Sequence, residues 1–287
     1  MIYILFNPLA GGGNGKEKAQ EIEGLIKPRA CRMLDITQLD VQAFLQDTPV
    51  SETILLTGGD GTINHFVNHL DGAVPRQQIY YYPSGSGNDF MNDVREEAVV
   101  GFVLLNPYLA RLPVVEVNGQ RHSFINGIGF GIDGFCCQEG DWLRAKGKTH
   151  INYAAIAIQG LLGRFHHRSA TVTVDGHTEI YRHVWLVPTM NGRYYGGGMK
   201  VAPNQNRLNQ EGTVSTVVLH CPSKLKTLIV FPGIFKGKHV QHTEMVSVLT
   251  GHDVTVRFDR PTPLQIDGET IPDVLEYRVT RPYAQEG

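Results

Sequence analysis

Glycine, acidic and hydroxyl residues are combined at Gly58-Gly59-Asp60-Gly61-Thr62 in a pattern suited to phosphate chemistry. The backbone N–H groups of a glycine-rich loop can point at phosphate oxygens, and the N-terminus of a following helix adds a favourable dipole potential. Thr57 and Thr62 add hydroxyl donors. Because a carboxylate repels phosphate, we expect Asp60 to hold Mg²⁺ or to handle a proton. A tight turn in which Asp60 caps a helix is the alternative interpretation.

Two other glycine-rich segments lie in the same part of the chain, at residues 11–15 and 83–88. The first is not a Walker A phosphate loop, because Gly15-Lys16 is followed by Glu17 rather than by serine or threonine. It is not a dinucleotide-binding fingerprint either, since Gly11 and Gly13 are not followed by the third glycine of that motif. Any phosphate site here therefore belongs to a different class.

A compact acidic turn, Asp267-Gly268-Glu269, follows the strand-like residues 264–266. Two acidic residues around a glycine form a compact turn that presents carboxylates outward. An ordinary Asp-Gly hairpin is the alternative interpretation. Further glycine-rich segments lie at residues 126–134 and 195–198.

Each of the first three glycine segments follows a short apolar run, at residues 2–6, 53–56 and 79–82, and precedes a helical pattern. After the second run, apolar residues recur at the spacing of one helix face. These residues are Ile63, Phe66, Val67 and Leu70. Three strand–loop–helix units predict a parallel sheet with helices on its faces, and ligands bind such sheets at the carboxyl ends of the strands. All three loops are expected at that edge, which favours one site built from three loops.

The pattern after about residue 111 is that of an antiparallel, β-rich domain. Strand-like segments occur at residues 113–117, 170–174, 183–187, 213–219 and 254–258. Asn118-Gly119 and Asp175-Gly176 are strong hairpin signals, and one helix is expected between Asp141 and Leu162. We therefore predict two domains, at residues 1–115 and 116–287.

Composition excludes several other classes of protein. The formal net charge of −2 over 287 residues argues against a dedicated nucleic-acid binder. The four cysteines form no C-x-x-C pair, which argues against a disulfide framework or a zinc site. No signal peptide is visible and no apolar run reaches the roughly 20 residues that span a bilayer. We expect a cytoplasmic protein that contacts a membrane only peripherally.

The glycine segments and the acidic turn occur in a fixed order together with several shorter motifs. The pieces are Asn7-Pro8 with the glycines that follow, Gly58-Gly59-Asp60-Gly61-Thr62-Ile63-Asn64, Pro83-Ser84-Gly85-Ser86-Gly87-Asn88-Asp89-Phe90, Gly129-Phe130-Gly131-Ile132-Asp133, Gly196-Gly197-Gly198-Met199-Lys200 with Ala202-Pro203, Gly237-Lys238-His239 and Asp267-Gly268-Glu269. In this order they resemble the diacylglycerol kinase catalytic family, which includes sphingosine kinases, ceramide kinases and bacterial lipid kinases. The resemblance spans nearly the whole chain. The later motifs separate it from NAD kinases, which share only the Gly-Gly-Asp-Gly motif.

The resemblance implies an α/β plus β fold. A parallel-sheet domain, like that of NAD kinases and diacylglycerol kinases, would bind ATP, and a larger antiparallel β-rich domain would take the lipid; in such proteins the chain end often returns to the first domain. The nucleotide contacts it implies are Asn7, Thr57, Gly58, Gly59, Asp60, Gly61, Thr62, Asn64, Ser84 and Gly85. It implies that Glu269, or alternatively Asp267, accepts the proton, and that Asp60 takes part in catalysis by organising Mg²⁺ with Asp89.

Two positions depart from the family pattern. The family often carries Asp-Asp-Gly-x-x-Asp for a structural Mg²⁺ in the second domain, and the matching stretch here, at residues 210–215, retains only Glu211 as an acid. Glu211 is thus the one candidate ligand that remains for that ion. His65 replaces a common glutamate in the first motif, and a histidine on a helix surface is the simple account of it.

We expect ATP- and Mg²⁺-dependent phosphoryl transfer to a lipid hydroxyl at a membrane surface, with diacylglycerol, giving phosphatidic acid, as the first candidate. The alternatives are a catalytically weak sensor that binds nucleotide or lipid, a kinase for another lipid alcohol, and a kinase for a soluble acceptor such as NAD. Asp60→Ala is expected to abolish transfer while leaving the fold intact.

A mixture of basic and apolar residues between positions 224 and 238 suits contact with anionic lipid. The basic residues are Lys224, Lys226, Lys236 and Lys238, and the apolar ones are Leu228, Ile229, Val230, Phe231, Ile234 and Phe235. A core helix with solvated lysines is the alternative interpretation.

Overall fold

The computed structural model describes residues 1–70, 72–85, 87–148 and 151–281. The chain divides into two compact units, Met1–Ala110 and the residues from Arg111 onward. The boundary predicted after residue 115 falls within a strand of the second unit, β6 (Val114–Val117).

The first unit is a five-stranded sheet in the order β2-β1-β3-β4-β5. Its strands are β1 (Ile2–Phe6), β2 (Cys31–Asp35), β3 (Thr53–Gly58), β4 (Gln78–Pro83) and β5 (Val103–Leu104). Its helices are α1 (Ala10–Gly13), α2 (Gly15–Ile26), α3 (Val41–Asp47), α4 (Asp60–Asn68), α5 (Asp89–Val94) and α6 (Asn106–Leu109), with 3₁₀ turns at Ile36–Gln38 and Arg95–Glu97. The first four strands pair in parallel and β5 is antiparallel to β4. This confirms the predicted parallel sheet.

The apolar runs form strands because both faces of the sheet are covered. Successive side chains of a strand point to opposite faces of the sheet. Ile4 and Leu5 on β1 are both buried, and so are their register partners Leu55 and Leu56 on β3. The predicted apolar face of α4 is also buried, including Ile63 and Phe66. Burial of each such side chain stabilises the fold by roughly 1.5–3 kcal/mol. The packed core thus holds the strand ends, and with them the loops that follow, in place.

The second unit is built on an antiparallel sheet, nine-stranded within the described residues, in the order β12-β11-β10-β8-β13-β14-β6-β7 with β9 pairing to β10 and β13. Besides β6, its strands are β7 (Gln120–Ser123), β8 (Gly127–Gly131), β9 (Arg168–Val174), β10 (His177–Met190), β11 (Val214–His220), β12 (Val246–Gly251), β13 (Asp253–Ile266) and β14 (Glu269–Thr280). Its helices are α7 (Ile132–Ala145), α8 (Tyr153–Gln159) and α9 (Lys224–Val230), with a π turn at Gly160–Arg164 and 3₁₀ segments at Phe231–Lys236 and His239–Gln241. The last strand pairs with β13 and β6, and residues 282–287, where a return to the first domain was expected, lie outside the described residues.

Both predicted hairpin turns are present. Asn118-Gly119 joins β6 to β7, and Asp175-Gly176 joins β9 to β10. All four residues have positive φ, which is the backbone that a two-residue type I′ turn requires. These turns fix the register of two strand pairs in the sheet.

A helix predicted between Asp141 and Leu162 is present as α8. The prediction missed α7, which starts at Ile132, before this range, and ends at Ala145, inside it. The glycines before Asp141 obscured the first turns of α7. Gly134 is needed there because a Cβ atom at this position would lie 2.1 Å from the carbonyl oxygen of Pro263. The helix therefore packs its backbone directly against β13.

Candidate active site

The second and third glycine loops are hydrogen-bonded to each other at the carboxyl ends of β3 and β4. The backbone N–H groups of Ser84 and Gly85 donate to the carbonyl oxygen of Gly58, at 2.8 and 3.1 Å. The hydroxyl of Thr57 donates to that of Ser84 at 2.9 Å, and the buried hydroxyl of Tyr81 donates to Gly58 from below at 3.0 Å. The two loops thus form one rigid surface in the first unit.

Close approach of the two loops requires glycine on both sides. A Cβ atom added to Gly85 would lie 2.4 Å from the Cα atom of Gly59, a distance that real Cβ atoms do not show. The first loop reaches the same place, because a Cβ atom on Gly11 would lie 3.0 Å from the carbonyl oxygen of Ser84. All three loops therefore converge at one sheet edge.

Asp60 ties the second loop to the start of helix α5. Its Oδ2 atom accepts a hydrogen bond from the backbone N–H of Asp89 at 2.7 Å, and its Oδ1 atom accepts one from Phe90 at 3.0 Å. The side chain is buried, with 9% of its surface exposed. Asp60 therefore caps a helix, as the alternative interpretation expects. The capped helix is α5, which follows the third loop, and not α4, which begins at Asp60 itself.

Asp60 and Asp89 are also suitable ligands for a cation that arrives with a nucleotide. Each carboxylate oxygen has two lone pairs, so one backbone N–H does not exhaust either oxygen of Asp60. Mg²⁺ in kinase sites is usually held by one or two carboxylates together with phosphate oxygens. Within the residues that the structure covers, no cluster of three His, Cys, Asp or Glu residues could hold a metal by itself. A Mg²⁺ held here would therefore need phosphate oxygens in addition to the protein ligands.

The other residues predicted to contact nucleotide surround this surface. Gly61 is exposed in the first turn of α4, and a Cβ atom there would meet no atom within 4 Å. Thr62 and Asn64 are buried behind it. Asn7 accepts a hydrogen bond at Oδ1 from the backbone N–H of Leu9 at 2.9 Å, which shapes the first loop. Ser86, in the middle of the third loop, lies outside the described residues.

In the second unit, the acidic turn is anchored by Asp267. Its carboxylate accepts three backbone hydrogen bonds at the start of β8, from Ile125 at 2.6 Å, Asn126 at 2.8 Å and Gly127 at 3.0 Å. Glu269, by contrast, is exposed at the first position of β14. Asp267 therefore acts as a structural anchor, while Glu269 is presented to solvent and is accessible to a substrate.

Asp133 is a buried acid near this turn, and the sequence indicated no role for it. Asp133, in the first turn of α7, accepts a hydrogen bond from the hydroxyl of Tyr195 at 3.1 Å, and both residues are buried. Burial raises the pKa of Asp133 from its ordinary value of 3.8 to about 6. Gln265 supports the turn from the neighbouring strand by accepting from the backbone N–H of Gly268 at 2.9 Å. The motif ending at Asp133 was the only sequence signal for this cluster.

The segment where a structural Mg²⁺ would bind does not fit a metal. The carbonyl oxygen of Thr213 accepts hydrogen bonds from Gln205 at 2.9 Å, Asn209 at 3.0 Å and Arg281 at 2.9 Å. The Ser215 hydroxyl donates to Gln205 at 2.7 Å. Glu211, the remaining candidate ligand, is exposed to solvent. Protein donors thus occupy the oxygen atoms that a cation would need.

Arg281 places a buried positive charge in this region. Its buried guanidinium donates to the carbonyl oxygens of Arg207, Thr213 and Arg111. Burial lowers the pKa of Arg281 to about 10, which leaves it protonated at neutral pH. The Arg281 side chain therefore holds the loop between Arg207 and Thr213.

Comparison with known proteins gives the family of both units. Residues 1–101 match the model of the diacylglycerol kinase catalytic domain, and residues 126–284 match that of the YegS C-terminal NAD kinase beta sandwich-like domain. A diacylglycerol kinase of Mycobacterium tuberculosis is 24% identical over 302 residues, covering 98% of this chain and 95% of that protein. A diacylglycerol kinase of Bacillus subtilis is 25% identical over 242 residues, covering 82% and 76%.

The fold agrees with this relationship. A crystal structure of a diacylglycerol kinase from Bacillus anthracis superimposes with a TM-score of 0.62 at 17% identity, covering 98% of this chain and 93% of that one. The catalytic and C-terminal domain models follow one another along almost the whole sequence. This chain therefore belongs to the diacylglycerol kinase family and is a lipid kinase.

Proposed function

We propose that this lipid kinase transfers the γ-phosphoryl group of ATP to the free hydroxyl of diacylglycerol, giving phosphatidic acid and ADP. The observation that carries the proposal is the convergence of three glycine loops at one sheet edge, two of them fastened by Asp60. Relatives that bear the name diacylglycerol kinase cover nearly all of this chain, which supports diacylglycerol as the acceptor.

The first unit offers the groups that a triphosphate needs. The first N–H groups of a helix lack intrahelical acceptors and favour anions through the helix dipole. Helix α4 begins at Asp60, directly after the glycine loop, and the exposed Gly61 leaves open space beside its first turn. The hydroxyls of Thr57 and Ser84, already 2.9 Å apart, add further polar groups at the ends of the two strands. We assign ATP to this surface.

Mg²⁺ is assigned to Asp60 and Asp89, as the shared carboxylate site described above. The ion would neutralise charge on the transferring phosphates. Burial of Asp60 keeps its carboxylate in one orientation, so the site is ordered before nucleotide arrives. Such ordering is favourable for phosphoryl transfer, which depends mainly on positioning and electrostatics.

Glu269 is the proposed proton acceptor. In the reaction the lipid hydroxyl oxygen forms a bond to the γ-phosphorus, the bond from that phosphorus to the β–γ bridging oxygen breaks, and the hydroxyl proton passes to the Glu269 carboxylate. Glu269 is favoured over Asp267 because three backbone N–H groups already occupy the Asp267 carboxylate. Because a hydroxyl has a high pKa, proton loss is late, and Glu269 orients the hydroxyl as much as it deprotonates it.

The acceptor is tested by offering the enzyme ATP, Mg²⁺ and one lipid alcohol at a time in mixed micelles. Diacylglycerol, phosphatidylglycerol, a sphingoid base and a polyprenol are compared with NAD as a soluble acceptor, and products are identified by mass spectrometry. The proposal expects phosphatidic acid as the fastest-forming product. Faster phosphorylation of another alcohol would replace diacylglycerol as the acceptor, and ATP binding without any product would favour a sensor.

A further inference from the structure

Two helical segments of the second unit leave large apolar side chains in water. They are Ile158 (47% exposed) and Leu162 (63%) on α8 and the π turn, and Leu225 (69%), Ile229 (71%) and Phe235 (40%) on α9 and the following 3₁₀ segment. We name these five residues the apolar patch. Large apolar residues that are grouped on a surface mark an interaction site more often than single ones do.

The apolar patch is the outer side of helices whose inner side forms core. On the first segment, Ala157 and Leu161 are buried. On the second, Val230, Phe231 and Ile234 are buried in the same core cluster. Helix α9 also contacts the π turn, so the two segments are neighbours. Residues 224–238 therefore bury one face in the core, as the core-helix interpretation expects, and expose the other face to solvent.

Spacing along each helix keeps the exposed residues on one side. Ile158 and Leu162 are four residues apart, and so are Leu225 and Ile229. Residues at this spacing are neighbours on a helix surface. Two adjacent helices therefore present two apolar pairs, with Phe235 after the second pair.

The two segments that carry the apolar patch contain basic residues but no acidic ones. Neither residues 151–170 nor residues 222–240 contain an aspartate or glutamate. The second segment has four exposed lysines at positions 224, 226, 236 and 238. Lys226 pairs with Glu244 at 2.8 Å, whereas Lys224, Lys236 and Lys238 form no ion pair with any residue that the structure describes.

We propose that the apolar patch and these lysines dock the enzyme on the surface of an anionic membrane. The proposal rests on the proposed function, because a diacylglycerol substrate lies in a bilayer. Apolar side chains that enter the headgroup region and lysines that attract anionic lipid are the two components of interfacial binding. Among the described residues, none of the helices has the length and hydropathy of a membrane span.

Vesicle sedimentation with the full-length chain, in the absence of ATP, tests docking apart from catalysis. Vesicles of phosphatidylcholine mixed with phosphatidylglycerol are compared with vesicles of phosphatidylcholine alone. The wild-type chain is expected to bind the anionic vesicles more tightly, and this preference should weaken with added salt. Equal binding to both vesicles, or binding to neither, would overturn the proposal.

Two double variants separate the apolar and the basic contributions. Leu225→Ser with Ile229→Ser should weaken binding to anionic vesicles by at least about tenfold. Lys236→Gln with Lys238→Gln should weaken it by about fivefold per lysine at low salt. The matched control is Ile180→Ser with Val248→Ser, which removes two exposed apolar side chains of the same unit outside the patch. Variants of the patch that bind as wild type, or a control that loses binding equally, would contradict the assignment.

A second measurement distinguishes failure of docking from failure of the kinase proposal. Phosphorylation of a short-chain diacylglycerol dispersed as monomers should be unchanged in the Leu225→Ser, Ile229→Ser variant, while phosphorylation of long-chain diacylglycerol in vesicles falls. Equal loss on both substrates would show that the patch does not act through membrane docking. Vesicle binding without phosphorylation of either substrate would overturn diacylglycerol as the acceptor and leave docking intact.

Discussion

The carboxylate of Asp60 lies 2.7 Å from the backbone nitrogen of Asp89 and accepts its hydrogen bond. One residue thereby belongs to the glycine loop after β3 and also caps the helix that follows β4. Since the cap is made by a charged group in a buried position, it contributes to stability as well as to the site. The residue proposed as a Mg²⁺ ligand is thus also a structural residue.

Substitution of Asp60 is expected to lower both the stability of the fold and the turnover. Asp60→Ala removes the acceptor of two backbone N–H groups, which costs about 1–3 kcal/mol for a buried donor left without a partner. The structure therefore changes the expectation that this variant leaves the fold intact. Asp60→Asn keeps one acceptor oxygen and should lose less stability while still losing most of the turnover. Urea unfolding and initial rates measured on both variants check this, and Asp60→Asn with near-wild-type turnover would leave Asp60 only its capping role.

Glu269→Gln should lower kcat by about 100- to 10,000-fold, the usual contribution of a positioned proton acceptor. The KM for ATP should stay the same, because Glu269 is assigned to the acceptor and not to the nucleotide. Glu276→Gln is the matched control, since Glu276 is an exposed glutamate on the same strand, β14, paired with Arg257 at the surface. Steady-state kinetics on the two variants decide the assignment. A large rise in the KM for ATP with unchanged kcat would reverse it.

Asp133 should make stability depend on pH. Burial raises its pKa from 3.8 to about 6, so the folded chain holds this proton to a higher pH than the unfolded chain does. Between about pH 4 and pH 6 the free energy of unfolding should therefore fall as pH rises, by about 3 kcal/mol from this residue. Asp133→Asn, which can still accept from Tyr195, should remove that contribution. Urea unfolding measured across this pH range checks this. The same change of the free energy of unfolding with pH in the wild-type chain and in the variant would contradict the account.

Arg281 should contribute more to the stability of the second unit than any divalent cation does. Arg281→Met leaves the carbonyl oxygens of Arg207 and Thr213 without their charged donor, which should cost roughly 1.5–3 kcal/mol. Because the residues present do not fit a structural Mg²⁺, EDTA should leave the Tm of the nucleotide-free wild-type chain unchanged. Arg278→Met, at an exposed arginine paired with Asp253, is the matched control. A large drop in Tm on adding EDTA would show that a structural metal is present.

The predictable parts of the fold are those in which neighbouring residue types indicate the local backbone structure. The apolar runs before Asn7, Gly58 and Ser84 predicted the strands β1, β3 and β4, and the glycine segments after them were placed at one sheet edge because parallel strands end there. The Asn118-Gly119 and Asp175-Gly176 turns were equally local, because their residue types match the backbone angles. Strand β8 was obscured because three of its five residues are glycines, which carry no side-chain pattern.

The parts that were missed depend on contacts between distant residues. Asp267 anchors its turn on Ile125, and Arg281 donates to the carbonyl oxygen of Arg207; each pair is separated by many residues along the chain. Neither an aspartate in an Asp-Gly turn nor a lone arginine near the chain end indicates such a partner. The sequence could therefore name Asp267 and Glu269 as candidates, but only their hydrogen-bond partners distinguish the anchor from the exposed acid.

The initial rate of ³²P transfer from γ-labelled ATP into a chloroform-extractable lipid is the most direct test of the central claim. It is measured with Mg²⁺ and long-chain diacylglycerol in mixed micelles, for the wild-type chain and the Asp60→Asn, Glu269→Gln and Glu276→Gln variants. The account predicts labelled phosphatidic acid from the wild-type and Glu276→Gln chains and a rate lower by at least about 100-fold from the other two. Labelled lipid formed at equal rates by all four chains, or by none of them, would contradict it.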